Sequence, residues 1–156
     1  MENNRKGFSL IELLIVVAII LVIAGIAIPS LLRSKIAANE VSAIGSLRTM
    51  DTAFVAYVST YSIGYPATLS SLAPSATPTS TAADLLDAVL ASGSKSGYTF
   101  TYTAGPPAAD GIINSYTITG VPVRQGVTGQ RGFYTDQTLV IRANATGTAS
   151  ATDLPI

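Results

Sequence analysis

Residues suited to acid–base or metal chemistry are sparse in this 156-residue chain, which has no histidine, no cysteine and no tryptophan. Histidine and cysteine carry much of the proton transfer near neutral pH and much of the soft-metal ligation in proteins, so the commonest catalytic and metal-centre designs are missing. One carboxylate nevertheless has a sharp electrostatic argument. Glu12 is the single formal charge in the 25-residue apolar stretch from Phe8 to Leu32. A carboxylate in hydrocarbon costs on the order of 3 kcal/mol by insertion scales, which calls for a partner charge. Phe8 stands four residues earlier, after Gly7 and the cations Arg5 and Lys6. The chemistry on offer is therefore that of a charge in need of a partner. No catalytic residue, metal-ligand set or cofactor site is identified.

Other motifs carry less. Ser92-Gly93-Ser94-Lys95 has the S-x-x-K spacing of serine acyl-transferases, but the S-D-N and K-T-G companions are absent. Asn144-Ala145-Thr146 is a glycosylation sequon on the C-terminal tail. Arg124, Arg131 and Arg142 read as solvated charges rather than an anion-binding patch. Phe54, Tyr57 and Tyr61 recur at helical spacing, which suits seating a sheet better than holding a cofactor.

The element that must position Glu12 is the apolar stretch itself. Twenty-five residues exceed the ~20 that cross a bilayer as a helix. A secretory signal peptide would have a shorter apolar region. A plain membrane anchor accounts for the hydrophobicity and the flanking Arg5 and Lys6, but not for the Gly-Phe junction or Glu12. The run KGFSLIELLIVVAIILVIAGIAIPSLL strongly resembles the N-terminus of type IV pilins and the related pseudopilins. The resemblance implies cleavage after Gly7 by a prepilin peptidase, which also methylates the new amine of Phe8. It further implies that Glu12 pairs with the amine of a neighbouring subunit and sets axial register. Pairing within one helix is the local alternative. Pro29 lacks the amide hydrogen that would bond the Gly25 carbonyl, so a bend is expected there. The family carries a proline at this position, and Gly25 to Pro29 is read as the hinge.

Beyond the apolar stretch, Ile36, Val41, Ile44, Leu47, Met50, Phe54, Val58 and Tyr61 mark one stripe of an amphipathic helix. Arg33, Lys35, Glu40, Ser42, Arg48 and Asp51 are expected on its solvated face. One helix from Phe8 to Tyr61 follows, about 80 Å long at 1.5 Å per residue. Tyr65-Pro66 opens a loop whose Leu69 and Leu72 can tuck inward. A short helix is expected at Ala82–Ala91, capped by Thr81, burying Leu85, Leu86, Val89 and Leu90, and ended by Gly93. The period then changes to two: Tyr98, Phe100 and Tyr102 alternate with threonines as a half-buried strand. Further strands are expected at Ile113–Thr119, Phe133–Tyr134 and Leu139–Arg142, the last two around a turn at Asp136-Gln137. GFYTDQTLVIR resembles the last hairpin of a group of bacterial pilins, which often have glycine where Leu139 stands. The tail from Ala143 is small and polar, and either lies over the sheet or frays.

The fold class expected is α+β, with a long N-terminal helix packed on an antiparallel sheet of three or four strands, which is the ladle-shaped pilin fold that the resemblance implies. The domain division is a leader (1–7), a transmembrane and filament-core half-helix (8–32) and a globular head (33–156). Many pilins close their C-terminal loop with a disulfide. This chain must do so by packing and hydrogen bonds.

Cutting after Gly7 removes Glu2, Arg5 and Lys6, so nine Lys and Arg become seven and nine Asp and Glu become eight. A net charge near −1 argues against bulk electrostatic binding to nucleic acid. The function implied is mechanical: a pilus subunit held in the bacterial inner membrane, processed, and polymerised with copies of itself into an extracellular filament. A prepilin peptidase, an assembly ATPase and a platform protein are the implied partners. The alternatives are a minor pilin for adhesion or DNA uptake and the major pseudopilin of a type II secretion system, in a periplasmic filament. The latter usually has an aspartate-proline-tryptophan-glycine stretch and clustered calcium-binding carboxylates, whereas here Asp110, Asp136 and Asp153 are widely spaced.

Overall fold

The computed structural model describes residues 7–156, so the cations Arg5 and Lys6 lie outside the described residues. Two compact units divide the chain, one reaching Lys35 and one of Ile36–Ile156. Helix α1 runs from Leu10 to Tyr61 and continues through Pro29. It begins two residues later than its periodicity suggested, because Gly7 to Ser9 are not helical. Its residues through Lys35 belong to the first unit and those from Ile36 to the second.

In the second unit α1 packs on the sheet with the spacing of one helical face. Ala43, Leu47, Met50, Phe54 and Tyr57 are buried at intervals of four and three. Three expectations about this face are corrected. Val41 is 68% exposed. Glu40 and Asp51, assigned from their charge to the solvated side, are buried. Both carboxylates find hydrogen-bond donors on the sheet, which periodicity alone does not reveal.

The sheet is an antiparallel meander of six strands in chain order: β1 (Ser94–Lys95), β2 (Tyr98–Ala104), β3 (Tyr116–Pro122), β4 (Gly132–Asp136), β5 (Arg142–Asn144) and β6 (Leu154–Pro155). The α+β reading stands, with six strands in place of three or four. The added strands β1 and β6 are two residues each, too short to carry a period. On β2 the expected alternation holds, with Tyr98 and Phe100 buried and Thr99 and Thr101 exposed. Phe100 pairs with Gly120 on β3, where a Cβ would come within 3.0 Å of the Phe100 ring. β3 starts at Tyr116 rather than Ile113, since Ile113 bridges Gly64 and Pro107 instead. β5 starts at Arg142 rather than Leu139, because residues 137–139 are spent on the turn. There Asp136 Oδ1 accepts from the Thr138 amide and hydroxyl, and Leu139 sits at φ 63.

The second helix is shorter than expected. Only Ala88–Ala91 is helical, and Asp87 rather than Thr81 caps it, accepting from the Leu90 amide. The preceding residues bond sideways to the 3-10 turn Leu69–Leu72 and its flank: Ala83 N to Ser71 O, Asp84 N to Ala73 O, and the Leu85 and Leu86 amides to Leu72 O. Those bonds satisfy the amides that a helix would otherwise have used. Leu86 and Leu90 are buried, but Val89 is 56% exposed. Gly93, at φ 76, ends the turn as expected.

The tail is seated. Ala149 is buried, a Cβ at Gly132 would meet the Gly147 carbonyl, and the Ile156 amide bonds Ile141 O at 3.0 Å. In place of a disulfide, the Asp153 carboxylate accepts from Asn144 Nδ2 (2.8 Å) and from the Ser150 amide (2.7 Å) and hydroxyl (3.0 Å). Arg142 Nη1 donates to the Asp153 carbonyl at 2.9 Å.

Candidate functional site

In the first unit, every large apolar side chain from Phe8 to Leu32 is exposed, Phe8 at 81% and Leu10 at 80%. Burying a valine, leucine, isoleucine or phenylalanine side chain is worth roughly 1.5–3 kcal/mol, so an array of 17 bare ones demands a cover. α1 is long and apolar enough to cross a membrane. At the start of this array, Gly7 and Phe8 lie in exposed, non-helical chain.

Glu12 is placed one turn into α1. Ser9 immediately precedes the first helical residue, and its amide donates to Glu12 Oε2 at 2.9 Å. That is half of a capping box, in which the third helical residue reaches back to the N-cap amide. The pattern Ser9-Leu10-Ile11-Glu12 is the S-x-x-E signature of such a cap, a local role that the charge-pair reading of Glu12 passed over. The Phe8 nitrogen here is a peptide amide, and Glu12 is held by the Ser9 amide instead. Gly25 and Pro29 lie mid-helix, and a Cβ at Gly25 would meet nothing within 4 Å. The chain's own packing therefore does not require glycine there.

In the second unit two carboxylates tie α1 to the sheet. Glu40 Oε1 accepts the Gln130 amide at 2.9 Å and the Arg131 amide at 3.0 Å, and Arg131 Nε donates to Oε2 at 2.8 Å. Burial by itself would raise the Glu40 pKa. The two amides and the guanidinium more than offset that and hold it below the usual glutamate value. Asp51 is different, with hydroxyl donors only: Tyr116 at 3.0 Å and Thr135 at 2.9 Å. Burial pushes its pKa up. Burial and the Asp51 charge raise the Tyr116 phenol in turn. Beside them Phe54 stacks on Tyr102 at 4.9 Å and meets Tyr116 at 4.6 Å, so the helix aromatics seat the sheet.

The minor motifs resolve as ordinary structure. Ser92 Oγ donates to the Val89 carbonyl and Lys95 pairs with Asp87 at 3.5 Å, so the S-x-x-K pair is engaged elsewhere. Asn144 is held on both sides of its amide, by Asp153 and Thr146. Arg131 and Arg142 are committed to Glu40 and the Asp153 carbonyl, which leaves no three-arginine patch. Among the described residues no group of three or more His, Cys, Asp or Glu could hold a metal ion.

Comparison with known proteins bears on the N-terminal segment. Residues 3–28 match the prokaryotic N-terminal methylation motif. A stretch of 38 residues is 55% identical to the type IV wide pilus major component PilA4 of Thermus thermophilus. That stretch covers 24% of this chain and 29% of the relative, so the chain spans less than a third of the curated protein it matches. No solved structure matches the chain.

Proposed function

We propose, from an N-terminus that is that of a type IV prepilin, that this chain is a structural subunit of a type IV pilus. The methylation motif over residues 3–28, continuous with an uncovered apolar helix, is the observation that carries this reading. The precursor waits in the inner membrane and is cut between Gly7 and Phe8, and Phe8 is methylated. The apolar half of α1 then exchanges lipid for the same segments of neighbouring subunits. The two surroundings are similarly apolar, so the exchange turns on fit and on polar groups.

Glu12 supplies the polar group. Cleavage turns the Phe8 amide into an ammonium one turn away, and the acid and a subunit's amine neutralise each other inside the bundle. The exposed scissile bond and the capping position of Glu12 both suit this sequence of events, since a cap bond to one backbone amide is readily exchanged for an ion pair. Gly25 and Pro29 supply the hinge. Glycine there loosens the helix by about 1 kcal/mol relative to alanine, and Pro29 removes the amide that would bond the Gly25 carbonyl. A peptidase, an assembly ATPase and a platform protein complete the implied machinery.

The test is electron microscopy of fibres sheared from producing cells, with mass spectrometry of their constituent. A constituent beginning at methylated Phe8 is expected. Glu12→Ala is expected to leave processed chain in the membrane with fibre yield down by about a hundredfold, the scale of a lost ~3 kcal/mol pairing. Abundant fibres from that variant, or a constituent retaining residues 1–7, would overturn the proposal.

A further inference from the structure

The second unit carries two surface features that its own chain leaves unsatisfied, and we infer that they are the two halves of a head-to-tail contact between copies of this chain. This inference rests on the filament reading above and deepens it by naming the contact.

The first half is a groove of about 420 Å³ between α1 and the β4–β5 turn, lined by Arg48, Asp51, Thr52, Val55 and Leu139. Arg48, Thr52 and Val55 follow the i, i+4, i+7 spacing of one exposed helix stripe. Val55 is 47% and Leu139 46% exposed. Leu139 stands at φ 63, a conformation that glycine adopts freely and leucine does not. The turn would close at least as well with glycine. What leucine adds is an apolar side chain at the mouth of the groove, at the expense of backbone strain. Arg48 has neither a side-chain hydrogen bond nor an ion pair among the described residues. Asp51, on the groove wall, is already engaged by Tyr116 and Thr135.

The second half is the connection leading into β1. Asp84 is exposed, sits at φ 53, and its carboxylate has no hydrogen bond or ion pair among the described residues. Val89, five residues on, is 56% exposed. Helix α2, which carries Val89, contacts β1 at one edge of the sheet, whereas Leu139 follows β4. β2, β3 and β4 lie between β1 and the β4–β5 turn in the meander, so the Arg48 groove and the Asp84 connection are separate patches of the head. One half presents a free cation beside bare apolar side chains, and the other a free carboxylate beside one. These surfaces are complementary in charge and in polarity. Contact between two unlike patches of the same chain is heterologous, and repeats as an open filament when its rotation does not close. The occupant of the groove is thus the Asp84–Val89 connection of a second copy.

Charge reversal in producing cells tests this with the full chain. Arg48→Glu and Asp84→Arg are each expected to lower recovered fibre by about tenfold, with processed chain in the membrane unchanged, and the double variant to recover most of it. Leu139→Gly is expected to keep or raise the thermal midpoint, since it relieves the positive φ, while lowering fibre yield. Single variants with wild-type fibre yield would overturn the contact. So would a double variant no better than its parents, which would assign the groove to another occupant. Wild-type cells that assemble no fibre of this chain would overturn the filament reading, and the contact with it.

Discussion

Glu40 and Asp51 are two acids on one helix face, 11 residues apart, with opposite responses to pH. Glu40 is held below its ordinary pKa by amides and a guanidinium. Its stabilising effect is therefore present above the unfolded glutamate value and lost as pH falls through the lowered one. Asp51 is held above its ordinary value by burial, against hydroxyl donors that only partly compensate. Its contribution is fully present below the unfolded aspartate value and lost as pH rises through the raised one. Glu40→Gln is accordingly expected to lower stability at pH 7 by about 1 kcal/mol, with the deficit shrinking in acid. Asp51→Asn is expected to raise stability at pH 7 by about 1 kcal/mol, because a neutral amide of the same shape replaces a buried charge with no cation. That advantage should also shrink toward acid, as the wild-type carboxyl takes up its proton. Thermal melts of both variants between pH 3 and 8, an interval spanning the ordinary carboxyl values, check the signs.

Among the elements, β5 and β6 show how a chain without cysteine closes its C-terminal end. β6 has only two residues, and its pairing with β5 depends on the Asp153 carboxylate gathering Ser150 and Asn144. The Ser150 amide bond is the main cause of the depressed Asp153 pKa. Asp153→Ala is expected to speed amide exchange at Ser150 and Ile156 by about tenfold, the loss of one or two hydrogen bonds, with β2 and β3 unaffected. Unchanged exchange at Ile156 would show that packing of Ala149 holds the tail without the carboxylate. The short α2 teaches a related lesson. A sequence that could have made nearly three turns of helix makes about one, since its first amides are bonded to the Leu69–Leu72 turn.

For the molecule as a whole, the two units solve opposite problems. The second buries its own core, with Leu47, Met50, Phe54, Tyr98, Tyr116 and Phe133 at 2% exposure or less. Among its described residues, the first buries none of its large apolar side chains. A fragment of residues 36–156 is therefore expected to fold cooperatively and sediment as a monomer in water, the head-to-tail contact alone being too weak to hold a polymer. The full chain without detergent is expected to associate. A fragment lacking a cooperative melt would mean that the first unit is needed for the head to fold.

The sequence alone determined whatever depends on local pattern. The uninterrupted apolar run, the helix through Tyr61, the alternating strand at Tyr98–Tyr102 and the turn at Asp136 each follow from periodicity or from one residue's backbone preference. Glu12 was legible for the same reason, since a charge in an apolar run stands out without any neighbour. Tertiary structure decided everything that needs a distant partner. Glu40 and Asp51 face inward because donors 65 to 91 residues away happen to await them. Val41 and Val89 face outward because their segments turn other sides to the sheet, and β1 and β6 exist only because β2 and β5 offer them an edge. Burial of a polar group is decided by whether its hydrogen bonds can be met where it lands, and that is a property of the assembled head.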